Sequence, residues 1–243
     1  MPNAGATTPI AKVLIISKDA QANEVITQSM AQLAISAELC AQVPEALLRL
    51  NRRKFEAVIV DLQLGDQATS VVRQVRSSAS NRTAVVFAIG SVEGDAATAF
   101  KIGAGFVLKR PLSLESISHT LKAAYGLIVR ERRRYFRYPI SIPAAIRQDS
   151  GEAEGRTVNI SEGGMAIIVA VPLIAGKPVN VQFMLPGQPS QFAVNAVRCW
   201  QEGNCVGLQF VSLPPQQKSE LQEWLSCRLE EQLPQPVAQK FQN

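Results

Sequence analysis

Histidine is almost missing from this chain: His119 is the only one in 243 residues. The four cysteines (Cys40, Cys199, Cys205 and Cys227) include no CxxC pair. These two shortages leave little from which to build a zinc site, so no metal is expected. The cysteines are expected to be buried free thiols, although Cys199 and Cys205 could also face each other across a hairpin. No apolar run approaches the roughly 18 residues of a membrane span, and no membrane partner is expected. The opening "MPNAGATTPIAKVLII" has neither a basic n-region nor a cleavage site, which predicts a cytoplasmic rather than a secreted protein. No nucleophile–base pair, metal cage or phosphate-binding P-loop stands out. The expectation is a protein that is not an enzyme and carries no cofactor.

What the chain does have is an ordinary globular composition, 47% hydrophobic and 19% charged, and enough length for two domains. Its net charge of +5 is unevenly placed. Five arginines crowd into "RERRRYFR", residues 130–137, giving that segment +4, whereas residues 130–243 as a whole carry only +2. A nucleic-acid binder spreads basic residues over a face that tracks many phosphates. Charge focused on one short segment, followed by a slightly acidic remainder, points instead to a compact anion, and no nucleic-acid partner is expected.

Hydrophobic patterning divides the chain in two. From residue 12 to about 128, apolar runs ("KVLII", "ISAELC", "AVIVDL", "AVVFAIG", "GFVLK") alternate with amphipathic stretches, ending in a helix that opens at Ser113. Near-continuous apolar strands alternating with helices predict an α/β doubly wound parallel sheet covered on both faces. After Arg137 the period becomes two, as in "FAVNAVRCW", and short strands are punctuated by Gly, Pro and Ser. That pattern predicts a small antiparallel β-barrel, closed by a helix in which Leu221, Leu225 and Leu229 share one face. The expected domains are 1–128 and 138–233, joined by an arginine-rich linker over 129–137 and followed by a flexible tail over 234–243.

In the first half, Asp61 ends the "AVIVD" strand and "GAGFVLKRP" precedes the last helix. This half resembles a response-regulator receiver domain, with Asp61 at the phosphoacceptor position. The resemblance implies an acidic pair after the first strand to hold Mg²⁺, a hydroxyl at the end of the fourth strand, and a lysine before the proline. Here "IISKD" places Ser17 and Lys18 where the acidic pair belongs, with Asp19 one residue out of register. Ile89 stands near the hydroxyl position and Arg110 at the lysine. Because Mg²⁺ requires carboxylate oxygens, this is expected to be a degenerate pseudo-receiver. Asp61 would pair with Lys18, and the domain would serve docking or homodimerisation.

In the second half, "RRRYFR" supplies Arg132, Arg133 and Arg137, and "NISEGG" supplies Asn159, Ser161 and Gly164. These two motifs, in this order on a barrel pattern, resemble the RxxxR and [D/N]xSxxG motifs of the PilZ domain, a family that binds cyclic di-GMP. The resemblance implies that these six residues bind the nucleotide. Arginine suits the task, since its planar fork takes phosphate oxygens or guanine O6 and N7 bidentately. Asn159 and Ser161 add donors and acceptors, and Gly164 allows close backbone approach. Arg134 is expected to face solvent, and Trp200 to belong to the core or the barrel rim.

The expectation is therefore a bacterial-type signalling effector. Cyclic di-GMP, clamped by the arginine segment and the NxSxxG motif, would reorient the two domains and be read by a protein effector. The alternative is a receiver-based scaffold or phosphoacceptor whose barrel is only a protein-interaction module.

Overall fold

Strands too apolar to have a solvent face require helices on both sides, and the computed structural model shows that arrangement in the first half. It describes residues 9, 11–91, 94–148 and 151–231. The expected tail over 234–243 lies outside them. The chain divides into two compact units between Arg132 and Arg133.

In the first unit, β1 (Ala11–Ile16), β2 (Ile35–Cys40), β3 (Ala57–Asp61), β4 (Val85–Gly90) and β5 (Phe106–Lys109) form a parallel sheet in the order β2-β1-β3-β4-β5. This is the doubly wound order with its switch point between β1 and β3. The helices are α1 (Ala20–Ala31), α2 (Val43–Arg52), α3 (Asp66–Ser77), α4 (Asp95–Ile102) and α5 (Leu114–Tyr135). Alternate residues of β1 enter opposite cores. Val13 and Ile15 pack with Ile26, Met30, Ile117 and Leu121 of α1 and α5, whereas Leu14 and Ile16 pack with Leu50, Val71, Val72 and Val75 of α2 and α3. The parallel ladder therefore sets the C-terminal ends of β1, β3 and β5, with Ser17, Asp61 and Arg110, at one edge of the sheet.

Helix α5 is started by a reciprocal cap, in which the Ser116 N–H donates to Ser113 Oγ at 3.1 Å and the Ser113 N–H to Ser116 Oγ at 3.3 Å. It runs through Tyr135, past the expected domain end at residue 128. The segment expected as a linker is thus helical over most of its length. Arginine is a good helix former, and nothing in "RERRRY" breaks the ladder. Buried Glu131 adds an anchor within the first unit, accepting from Thr83 Oγ1 at 2.7 Å and pairing with Lys54.

The second unit is a closed antiparallel barrel of six strands with a short seventh strand at its edge. Strand β6 (Tyr138–Pro139) pairs on β8 (Gly151–Ser161); β7 (Pro143–Gln148), β8, β9 (Gly164–Val169), β12 (Cys205–Ser212), β11 (Gln191–Glu202) and β10 (Pro178–Met184) close the ring. Closure rests on the length of β8, whose first half pairs with β7 and second half with β9. At Gly155, where it changes neighbours, a Cβ would sit 2.7 Å from the Ile168 carbonyl oxygen and 2.8 Å from Ile146 Cδ1, so only glycine fits. The alternating apolar residues point inward as expected, and Phe183 and Phe192, paired across β10 and β11, stack at 5.2 Å. Helix α6 (Pro215–Glu231) closes the unit with buried Leu221, Trp224, Leu225 and Leu229. Trp224 Nε1 donates to the Pro186 carbonyl at 3.1 Å.

All four cysteines are free, but only Cys40 is buried; Cys199 and Cys227 are exposed. Cys199 and Cys205 do not face one another, because the hairpin register sets Glu202 opposite Cys205 and a bulge falls at Cys199. No helix is long and apolar enough to cross a membrane among the described residues.

Candidate functional site

Where α5 ends, the chain turns into the barrel beside a cavity of about 340 Å³, within the second unit. Its wall contains Arg134, Arg137, Ser161, Gly164, Cys199 and Trp200. The volume falls in the range typical of small-molecule sites, about 300–1,000 Å³. Two cationic forks and an indole therefore face the same space as the turn between β8 and β9.

Local geometry decides which motif residues arrive there. Helix α5 ends at Tyr135 and Arg137 follows it in non-helical chain, and the cavity takes Arg134 and Arg137 rather than Arg133 and Arg137. Arg137 is steadied by Asn159, whose Oδ1 accepts from Arg137 Nη1 at 3.5 Å. Asn159 itself is not part of the cavity wall. Ser161 is buried, and its hydroxyl donates to the Gly164 carbonyl at 2.9 Å, so its proton serves the turn and only its lone pairs face outward. Gly164 has an ordinary backbone conformation; a Cβ there would lie 2.2 Å from the Leu208 carbonyl oxygen. Close approach of β9 to β12 is what demands glycine. Gly207 does the same for Trp200, since a Cβ would stand 2.0 Å from the indole Nε1. Trp200 thus lies across the β12 backbone, 47% exposed, as a wall of the cavity rather than part of the core.

Two expected ligands are placed elsewhere. Arg133 Nε is 2.9 Å from Glu162 Oε1, and its Nη1 donates to Ser226 Oγ at 2.8 Å. Arg132 belongs to the first unit, with Nη1 3.8 Å from Oε1 of buried Glu56. Desolvation pushes the Glu56 carboxyl above its ordinary range; the Lys12 N–H, at 2.6 Å, and Arg132 pull it back. Arg134 and Trp200, assigned to solvent and to core or rim by the sequence, are the residues its reasoning missed. The helix phase through Tyr135 would have found Arg134.

The family comparison agrees with this geometry. Residues 131–226 match the model of the PilZ domain family. The cavity lies wholly inside this PilZ domain, and both of its motifs contribute residues to the wall. No curated protein matches the chain. Among solved structures, the first half is similar to the receiver domain of the sensor histidine kinase PA1611 of Pseudomonas aeruginosa PAO1. The identity is 19%, with 48% of this chain and 98% of that one covered, at a TM-score of 0.43. The chemotaxis response regulator CheY4 of Vibrio cholerae matches at 19% identity over 48% of this chain and 98% of its own, with a TM-score of 0.44. The Bacillus subtilis inhibitor of motility MotI/DgrA is 19% identical over 41% of this chain and 52% of that chain, with a TM-score of 0.37.

At the receiver-like position, Asp61 is buried and its oxygens already have partners. Oδ2 accepts from Ser17 Oγ at 2.6 Å and from Arg110 Nη2 at 2.8 Å, and Oδ1 from the Gln63 N–H at 3.1 Å. Arg110 Nη1 reaches Asp19, whose carboxylate caps α1. The Ala22 N–H and then the Arg110 guanidinium hold the Asp19 carboxyl below its ordinary range. The partner of Asp61 is thus Arg110 and not Lys18, which is exposed. The residues do not fit a Mg²⁺ ion: Ser17 and Lys18 replace the acidic pair, and the Arg110 guanidinium bridges Asp61 to Asp19. Among the described residues, no group of three or more His, Cys, Asp or Glu is placed to hold a metal.

Proposed function

We propose that this protein is a signalling effector that binds cyclic di-GMP in the cavity of its PilZ domain. The observation that carries the reading is convergence: Arg134 and Arg137 from the arginine segment and Ser161 and Gly164 from the NxSxxG motif line one cavity. Arg137 takes a phosphate or a guanine edge, the turn at Ser161 supplies acceptors, and Trp200 offers a flat apolar face to a base. Asn159 orients Arg137, and Arg133 joins the clamp by leaving Glu162. Arg132 has a different task, balancing Glu56 in the first unit. On this reading the nucleotide is sensed and not transformed. Because α5 is shared by the receiver-like unit and the PilZ domain, a change in its last turn alters the link between them, and a protein effector reads that change. Titration calorimetry tests the proposal: cyclic di-GMP is expected to bind, and cyclic di-AMP to bind at least tenfold more weakly, because adenine presents an amino group where guanine presents O6. Equal affinity for the two would show a site that reads charge alone.

A further inference from the structure

Arg133 completes the RxxxR spacing with Arg137, yet its side chain does not line the cavity. One residue along an α-helix turns the side chain by about 100°. Arg134 therefore faces the cavity while Arg133 faces the closing helix α6. There it enters a knot of four side chains. Its Nη1 donates to Ser226 Oγ at 2.8 Å, and Ser226 Oγ donates to the Gln222 carbonyl at 2.6 Å. Gln222 Nε2 donates to Glu162 Oε2 at 3.3 Å, and Glu162 Oε1 stands 2.9 Å from Arg133 Nε. That last contact is an ion pair by distance only. Neither Arg133 Nε nor Glu162 Oε1 makes a hydrogen bond of acceptable angle, although both atoms are buried. Glu162 also sits inside the NISEGG turn, between Ser161 and Gly163, both of which line the cavity.

We propose that Glu162 sets the affinity of the site by acting as an internal substitute for a ligand phosphate on Arg133. The inference rests on the reading of the cavity as a cyclic di-GMP site. A carboxylate and a phosphodiester compete for the same planar fork, which either can take bidentately when well aligned. The present pair is poorly aligned, and although its contacting atoms are buried the side chains are partly exposed, 27% for Arg133 and 17% for Glu162. It is strong enough to tax binding and weak enough to be displaced. Displacement also withdraws the Arg133 hydrogen bond from Ser226, so the same exchange loosens a contact on α6.

The experiment is a double-mutant cycle read by calorimetry with cyclic di-GMP. Glu162→Gln keeps the shape and the hydrogen bond from Gln222 but removes the competing charge. It is expected to bind two- to fivefold more tightly, about what a partly exposed ion pair is worth. Ser226→Ala, which frees Arg133 from the other side, is expected to tighten binding as well. In an Arg133→Ala background, Glu162→Gln should give no gain, because the carboxylate acts only through that arginine. Unchanged or weaker binding in both Glu162→Gln and Ser226→Ala, or a gain that persists without Arg133, would overturn the proposal. Tight wild-type binding with neither effect would overturn it while leaving the cavity reading intact. No binding of cyclic di-GMP by wild type or Glu162→Gln, with both folded by thermal melt, would overturn both.

Discussion

Arg110 Nη2 lies 2.8 Å from Asp61 Oδ2, and the same guanidinium also engages Asp19. A resident cation thus stands between the two carboxylates, supplied by the chain itself 49 residues downstream of Asp61.

One consequence is structural dependence. Asp61 is 2% exposed, and Arg110→Ala would leave its charge with neutral donors only. Removing one member of a buried pair costs about 3–5 kcal/mol, and the Ser17 and Gln63 hydrogen bonds should bring this to about the lower figure. Urea denaturation is expected to show that loss and its substantial recovery in Arg110→Ala/Asp61→Asn. Equal stability of Arg110→Ala and wild type would show that the pair contributes nothing.

The same pair predicts chemical silence. A small phosphodonor with Mg²⁺ is expected to leave the protein unlabelled, and Asp61→Asn to leave cyclic di-GMP affinity unchanged. Stable labelling that disappears in Asp61→Asn would favour the phosphoacceptor reading.

At the PilZ cavity, each charge-assisted hydrogen bond is worth roughly 1.5–3 kcal/mol. Arg137→Ala should therefore weaken cyclic di-GMP binding about ten- to a hundredfold. Exposed Arg130, removed with the same loss of charge, should matter little. Arg137→Lys keeps the charge without the planar fork and is expected to bind measurably more weakly. If Arg130→Ala and Arg137→Ala prove equivalent in calorimetry, the arginines are a general basic patch.

Gly207 and Trp200 supply an optical test. A Cβ at residue 207 would overlap the indole, so Gly207→Ala should displace Trp200. The expected outcome is a shift in tryptophan emission and weaker binding. Trp200→Phe, which keeps an aromatic face, should bind more tightly than Gly207→Ala. Nucleotide affinity unaffected by either change would exclude Trp200 from the site.

Glu56 makes the first unit sensitive to pH. Its carboxyl is raised above the ordinary 4.5 chiefly by desolvation. A raised acid binds its proton more tightly in the folded state. Its contribution is therefore fully present below pH 4.5 and is lost as pH rises through the elevated value. Glu56→Gln keeps an acceptor for the Lys12 N–H without the charge. It is expected to raise the melting temperature at neutral pH and to converge with wild type in acid. A lower melting temperature at neutral pH would show that the pairing with Arg132 outweighs burial.

Much of this architecture could be read from the sequence, for reasons visible in particular residues. Leu14 and Ile15 are both apolar because β1 has no solvent face, whereas Phe192 and Val194 alternate with Ala193 and Asn195 because β11 has one. Four of the six expected ligands stand in or beside a shared cavity setting: Arg137, Ser161 and Gly164 line it, and Asn159 holds Arg137. The rest depended on helix phase and on distant partners. That Arg133 turns toward Ser226, 93 residues away, follows from α5 continuing through Tyr135, which a run of arginines does not advertise. Lys18 follows β1, the strand beside β3, but is exposed, whereas the partner of Asp61, Arg110, follows β5 at the edge of the sheet.

The long strand β8 has a further consequence for recognition. By giving its first half to β7 and its second half to β9, it joins the two ends of the sheet, so that each of the six described barrel strands has a neighbour on both sides. Among the described strands of this unit, only β6, two residues long, has a single neighbour. Among the described residues, a peptide seeking to add itself as an extra strand therefore finds no full-length barrel strand with a free edge, and neither does a second barrel seeking to stack edge to edge. The effector proposed above would then have to read side chains, turns or the outer surface of α6.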